Sequence, residues 1–349
     1  MDRQRVLVVT SDVAFVEGGH LTMARAVVRS LRELGHEADL MRTPQNRFGR
    51  QLSAYWATRL TDVGLDGLGR KIDRVVSLRF PSYAVRHPVH VCWLNHRMRE
   101  YYDLWDDLKA RLSRRGRVKE GLRRFLIHRL DRRLLVRNVR KLFTISGEVS
   151  RRLERWGRIP SEVLYPPPPP RPYRTEGYGD FVFAVSRLTG LKRLDLLIEA
   201  VARMENRGLR AVIAGEGPEH DRLAGLIRER RLEGRVSLAG GLDEAALVDH
   251  YARCRAVYFA PYHEDYGFVT GEAFASAKAV LTAPDSGGPA EQVRDGESGF
   301  IVPAEPGALA ARLDAWAGDA ALAERMGQAG RRSIASLSWP AAAERLLGA

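Results

Sequence analysis

The sequence predicts an α/β protein built from two doubly wound, parallel-sheet domains. Three observations carry that expectation. Short apolar strand patterns alternate with helix patterns and glycine-containing loops. The alternation stops at a proline run, 165–172, and restarts directly after it. A length of 349 residues suits two cores better than one.

The elements follow in order. Val6–Thr10 reads as a first strand, and Ser11–Gly19 as a loop carrying bulky Phe15 and Val16 and closing on a Gly pair. Ala24, Val27, Val28, Leu31 and Leu34 recur at helical spacing, and Gly35 supplies a stop. Ala38–Met41 is the next strand. This order opens a doubly wound sheet, yet the G-x-G-x-x-G of a dinucleotide site is absent. No element is assigned over 42–80. Val89–Leu94 is a strand with Asn95, His96 and Arg97 at its carboxyl end. Asp103–Asp107 falls in an amphipathic helix pattern with Leu108 and Leu112. Lys141–Ser146 is a further short strand, and Ser146 caps a helix starting near Glu148. The run Tyr165–Pro172 can be neither helix nor central strand, so it is an extended connector. Beyond it, Phe181–Val185, Ala211–Ala214, Val236–Leu238, Ala256–Ala260, Ala279–Thr282 and Gly299–Val302 read as strands separated by helix patterns. Two Ala-rich helices follow, and then a closing helix from Ser338.

Composition narrows the class. At 45% hydrophobic and 28% charged the chain is globular. No apolar run approaches the roughly 20 residues of a spanning helix, and Val-Leu-Val-Val-Thr is too short for a signal segment. Cys92 and Cys254 both lie in apolar patterns, so neither disulfides nor a metal cluster are indicated and a cytoplasmic protein is expected. The net charge of +13 is concentrated. Residues 109–141 hold fourteen Lys and Arg against Glu120 and Asp131, which is +12 of the +13.

The residues that can do chemistry sit in loops after strands, where doubly wound sheets bind ligands. In His263–Phe274 a carboxylate stands at each end of a strand-to-helix loop, Glu264 and Glu272. The backbone amides of Phe268, Val269 and Thr270 are expected at the open helix N-terminus between them, a place suited to phosphate. The carboxylates can accept hydrogen bonds from sugar hydroxyls. Ser186–Lys192 places Arg187 and Lys192 on one loop, two cations able to neutralise a departing diphosphate. Gly215 and Gly217, in Gly-Glu-Gly-Pro, permit either a tight turn or close backbone approach to a ligand.

These motifs resemble the retaining glycosyltransferases of family 4, which have the GT-B fold: two Rossmann-like domains facing a central cleft. The resemblance covers nearly the whole chain, closely over 181–302 and loosely over 42–80. It implies that Glu264, in the Glu-x7-Glu spacing, touches the donor sugar and that Glu272 holds the nucleotide ribose. Arg187 and Lys192 match the Arg and Lys of a Gly-Arg-Leu-x3-Lys-Gly pattern in which Ser186 and Arg193 replace the glycines here. Gly240 and Gly241 correspond to a loop beside the base, and Gly18 and Gly19 to the loop under the transferred sugar and diphosphate. His96 matches a His beside sugar and acceptor, with Asn95, Arg97 and Tyr101 shaping the acceptor side. Asp285–Glu291 resembles a mainly architectural segment. The implied organisation is an acceptor-side domain over 1–165, with helix 338–349 packed back on it, a linker over 166–175, and a nucleotide-sugar domain over 176–337. The implied reaction moves a hexose from a nucleoside diphosphate sugar to a hydroxyl acceptor, a lipid-linked glycan or other glycoconjugate, with no metal and no cofactor.

Two other readings compete. A nucleotide-sugar epimerase on the same architecture would need a clear acid–base pair, and none stands out. A nucleic-acid binder would use 109–141, but Phe125 stands alone at the centre of that segment, so no stacking platform is evident and no nucleic-acid partner is expected. Leu122, Leu126 and Leu130 recur every four residues amid the arginines. That pattern fits a helix lying on an anionic membrane, and hence a peripheral protein.

Overall fold

The computed structural model describes residues 3–12, 18–45 and 48–349. The chain forms two compact units, Met1–Pro166 with Leu337–Ala349, and Pro167–Ser336.

In the first unit the elements are β1 (Arg5–Asp12), α1 (Gly19–Glu33), β2 (Glu37–Pro44), α2 (Gln51–Leu60), β3 (Arg74–Ser77), β4 (His90–Leu94), α3 (Trp105–Ala110), α4 (Arg114–Arg137), β5 (Lys141–Thr144), α5 (Gly147–Arg155) and β6 (Glu162–Val163). The strands form one sheet in the order β2-β1-β3-β4-β5-β6, every pair parallel. Val6–Val9, Val75, Val76 and Val91–Leu94 are buried, which is why these apolar runs become strands covered on both faces. Gly35 ends α1 at φ +88, and the Ser146 side chain caps α5 by accepting from the Val149 amide.

The second unit contains β7 (Phe181–Val185), α6 (Leu194–Arg203), β8 (Arg210–Ala214), α7 (His220–Glu229), β9 (Val236–Gly240), α8 (Glu244–Arg253), β10 (Ala256–Tyr258), α9 (Phe268–Ala275), β11 (Ala279–Thr282), α10 (Gly288–Gln292), β12 (Gly299–Ile301), α11 (Pro306–Gly318) and α12 (Ala320–Ser333). Its sheet is also all parallel, in the order β12-β11-β10-β7-β8-β9. The period of two divides its core. Val182, Ala184, Ala256, Tyr258, Ala279 and Leu281 pack with Leu197, Ile198, Leu309, Leu313 and Trp316. Phe183, Val257 and Val280 pack on the other face with Tyr251 and Phe274. The last helix, α13 (Trp339–Leu347), belongs to the first unit, where it packs on α1, and Trp339 meets Trp93 edge-on.

Several expectations change in detail. The unassigned stretch 42–80 contains the end of β2, α2 and β3. α2 has no sharp stop signal, and its exposed face is apolar, which blurs its period. The helix expected across Asp103–Leu112 is confined to α3, none of whose residues is buried. Asp103 lies before it, ion-paired with Arg99 and Arg152. The helix at Glu272 starts earlier, at Phe268, because Gly267 turns the chain at φ +79. Of the loop read at Ser11–Gly19, residues 13–17, with Phe15 and Val16, lie outside the described residues.

Candidate active site

Most of the expected site residues lie in the second unit, on loops leaving the carboxyl ends of β7, β8, β9 and β10. β7 ends at Val185, and the loop after it carries Arg187, whose side chain is exposed. The same loop closes in a short 3-10 turn that presents Lys192. Lys192 Nζ donates to Glu264 Oε2 at 2.6 Å, so the expected diphosphate cation and the expected sugar carboxylate meet directly. The ammonium also lies 5.4 Å from the Phe259 ring centre, on its face. Glu264 is fixed from its backbone. Its amide donates to Ser286 O, and its carbonyl accepts from the Gly288 amide.

Arg193 holds these loops together. It occupies a left-handed backbone position at φ +49, where the family pattern carries Gly. Its guanidinium donates to Ala260 O and Pro261 O, each at 2.8 Å, and to both Asp285 oxygens at 2.8 and 2.7 Å. Four charge-assisted bonds offset the strain of an Arg in that conformation. The hydrogen bonds from Arg193 hold the Asp285 carboxyl below its ordinary value. The sequence signal was present, an Arg where glycine is the rule, but it read as a departure and not as a clamp.

The glycines at 215 and 217 have a structural cause. A Cβ at Gly215 would stand 1.8 Å from Ser186 O, and one at Gly217 2.4 Å from Leu188 O. The glycine loop therefore packs backbone to backbone against the loop that carries Arg187. Gly217 has φ +156 and Gly215 φ +128. Gly240 accepts from the Gly215 amide, and a Cβ at Gly241 would crowd the Glu216 carboxylate.

At the start of α9, Phe268 and Val269 are the first two residues, so their amides have no intrahelical acceptor. Thr270 differs from expectation: its amide donates to Gly267 O at 3.1 Å. Glu272 lies one turn into the helix and is buried. Its Oε2 accepts from Tyr251 O–H at 2.8 Å, and its Oε1 accepts from Arg171, which also reaches Glu244. Burial, with the Glu272 charge next, keeps the Tyr251 phenol well above its ordinary pKa. Glu264 and Glu272 are thus bound by different cations, Lys192 and Arg171. Arg171 and Tyr251 were not picked out from sequence. A charged residue inside a proline run was the available signal for Arg171.

His96, Gly18 and Gly19 lie in the first unit. Gly18 precedes α1 in extended backbone and Gly19 is its first residue. His96 follows β4, and its Nδ1–H donates to Arg97 O at 2.7 Å. His20, not anticipated from sequence, stands beside this group. Burial and the nearby Arg79 and His96 charges lower its pKa to about 4, and its Nε2 is buried with no hydrogen-bond partner among the described residues. The Oδ1 of Asn95 is likewise buried and has no partner among them. Neutral imidazole and amide oxygen can accept from hydroxyl groups.

Residues 172–333 match the family model for glycosyl transferases group 1. A D-inositol 3-phosphate glycosyltransferase of Kineococcus radiotolerans is 32% identical over 182 residues. That match covers 47% of this chain and 42% of the relative, so the chain spans less than half of that protein's length. Among solved structures, sucrose-phosphate synthase from Thermosynechococcus elongatus superposes with a TM-score of 0.77 at 17% identity, covering 99% of this chain and 98% of the other. Anabaena Alr3699/HepE, in complex with UDP and glucose, gives 0.71 at 17% identity over 99% of both chains. The chain therefore has the GT-B fold, and its residues 172–333 are similar to the glycosyl transferases group 1 family.

Proposed function

We propose that the protein is a retaining glycosyltransferase that moves a hexose from a nucleoside diphosphate sugar to a hydroxyl of a glycan or other glycoconjugate. The observation that carries the reading is the contact of Lys192 with Glu264 within the group 1 domain. A cation and a carboxylate at one strand edge can serve two ends of one donor. Lys192 and Arg187 neutralise the diphosphate as charge grows on it, and Glu264 accepts from sugar hydroxyls. Glu272 accepts from the ribose hydroxyls, and the amides of Phe268 and Val269 face phosphate oxygen. The bond between anomeric carbon and phosphate oxygen breaks as the acceptor oxygen bonds to that carbon on the same face. The hydroxyl proton passes to the leaving phosphate oxygen, so this side-chain set supplies binding and charge stabilisation and no nucleophile. That a structural neighbour holds UDP and glucose supports the donor class.

A thermal-shift screen with UDP-, GDP- and ADP-sugars identifies the donor, because a ligand bound only by the folded state raises the melting temperature. Proton NMR of the product from the best donor then reads the anomer. An α-donor giving an α-product is expected; an inverted product would overturn the retaining assignment.

A further inference from the structure

The core of the +12 segment becomes α4, a helix of 24 residues with ten Lys and Arg against two acids, and its charges are sorted by face. Its two acids, Glu120 and Asp131, both point inward. Asp131 is fully buried and accepts from the phenols of Tyr55, Tyr83 and Tyr102. Glu120 accepts from Tyr101 at 2.8 Å and from Arg123 at 2.6 Å. Ile127, Leu134 and Leu135 complete the inner face. The outer face carries exposed Arg115, Lys119, Arg129, Arg132, Arg133 and Arg137 with no acid among them. Between those cations stand apolar side chains in water: Val118 is 76% exposed, Leu122 62% and Phe125 57%.

α2 adds a second apolar stripe. Leu52, Trp56 and Leu60 recur every four residues and are all exposed, Trp56 at 66%. α2 lies beside α4, because Tyr55 donates to Asp131 and Arg59 to Asn138 at the end of α4. Apolar groups flanked by cations, with the acids withdrawn, complement a surface that is anionic outside and hydrocarbon beneath. A nucleic acid offers phosphates but no partner for the aliphatic Val118, Leu122, Leu52 and Leu60. No helix among the described residues is long and apolar enough to cross a membrane, so the contact is with a surface.

From this we infer that the outer face of α4, with the α2 stripe, docks the first unit on an anionic lipid bilayer. The cations meet the headgroups, and Leu122, Phe125 and Trp56 enter the acyl boundary. The inference rests on this face alone and stands apart from donor binding.

The test is flotation of the full chain with phosphatidylcholine vesicles, with and without phosphatidylglycerol, at about 0.05 and 0.5 M salt. Recovery on anionic vesicles at low salt is expected to exceed that on neutral ones by about tenfold or more, and to fall at high salt. Leu122→Ser with Phe125→Ser, both at exposed positions, should reduce recovery at low salt. The emission lost in Trp56→Phe should be the part that brominated lipid quenches. Equal recovery on both vesicle types, or none on either, overturns the proposal. So does single-stranded RNA that binds with the same salt dependence and equal affinity in the serine variant, which would make the face a nucleic-acid surface. Donor-induced thermal shifts in the serine variant should match wild type, which separates failure here from failure of the transferase reading.

Discussion

At the residue scale the site depends on a few paired charges, and each pair yields an expectation. Lys192 is held by Glu264, so it is poised at one place and not free to wander. Lys192→Ala is expected to lower kcat by about 10- to 100-fold while moving the urea midpoint little, because the charge it meets grows only in the transition state. Steady-state kinetics beside urea melts separate the two effects; a variant with a lowered urea midpoint and an unchanged kcat would make the pair structural. Arg171 grips the buried Glu272, the carboxylate proposed to meet the ribose. Removing that charge-assisted bond in Arg171→Ala is worth about 1.5–3 kcal/mol, so donor affinity should weaken by about tenfold or more in calorimetric titration. The sequence singled out Arg187, Lys192, Glu264 and Glu272, the proposed site residues, because they stand at fixed spacing after strands. It did not show Arg171, Tyr251 or Arg193 as partners. Those contacts close across 101, 21 and 92 residues respectively, to Glu272, Glu272 and Asp285. Only the folded sheet brings such positions together.

Among the elements, the strands of the second unit were legible, as were β1, β2, β4 and β5, while β3, β6 and α2 were not. Buried parallel strands are short apolar runs bounded by loops, and 181–302 holds six of them. α4 was visible as a basic helix, from Leu122, Leu126 and Leu130 recurring every four residues, but its packing was not. Its inner face is held by a carboxylate under three phenols, a polar burial that an apolar period does not mark. Asp131→Ala would leave those three phenols without their acceptor. A loss of about 3–5 kcal/mol is expected from urea denaturation, large enough to loosen α4 from α2. His90 links β4 to the residue after α4. Its Nδ1–H donates to Asn138 O at 3.1 Å and its Nε2 accepts from Ser77 at 2.7 Å. Burial lowers its pKa from 6.5 to about 4. The unfolded chain therefore binds the proton first, and stability present above pH 6.5 is lost as pH falls toward 4. This His adds up to about 1.4 kcal/mol per pH unit to that slope. His90→Gln should flatten the melting-temperature profile in that window; an unchanged slope would assign the acid sensitivity elsewhere.

At the scale of the whole molecule a physical plan is repeated, and one unit of it carries the proposed chemistry. Each unit is a parallel six-stranded sheet with its loops at the strand ends. The second unit holds the stretch that matches the glycosyl transferases group 1 model, and its two carboxylates, Glu264 and Glu272, are held by Lys192 and Arg171. The central claim is that this set of charges binds a nucleoside diphosphate sugar. Isothermal titration with UDP-, GDP- and ADP-glucose or mannose, on wild type and on Glu272→Ala, tests it most directly. One donor is expected to bind the wild type at micromolar to millimolar Kd, with Glu272→Ala weaker by about 10- to 100-fold, the loss of a charged hydrogen bond to ribose. Wild-type and variant titrations that are identical, or a wild type that binds none of these donors, would contradict it.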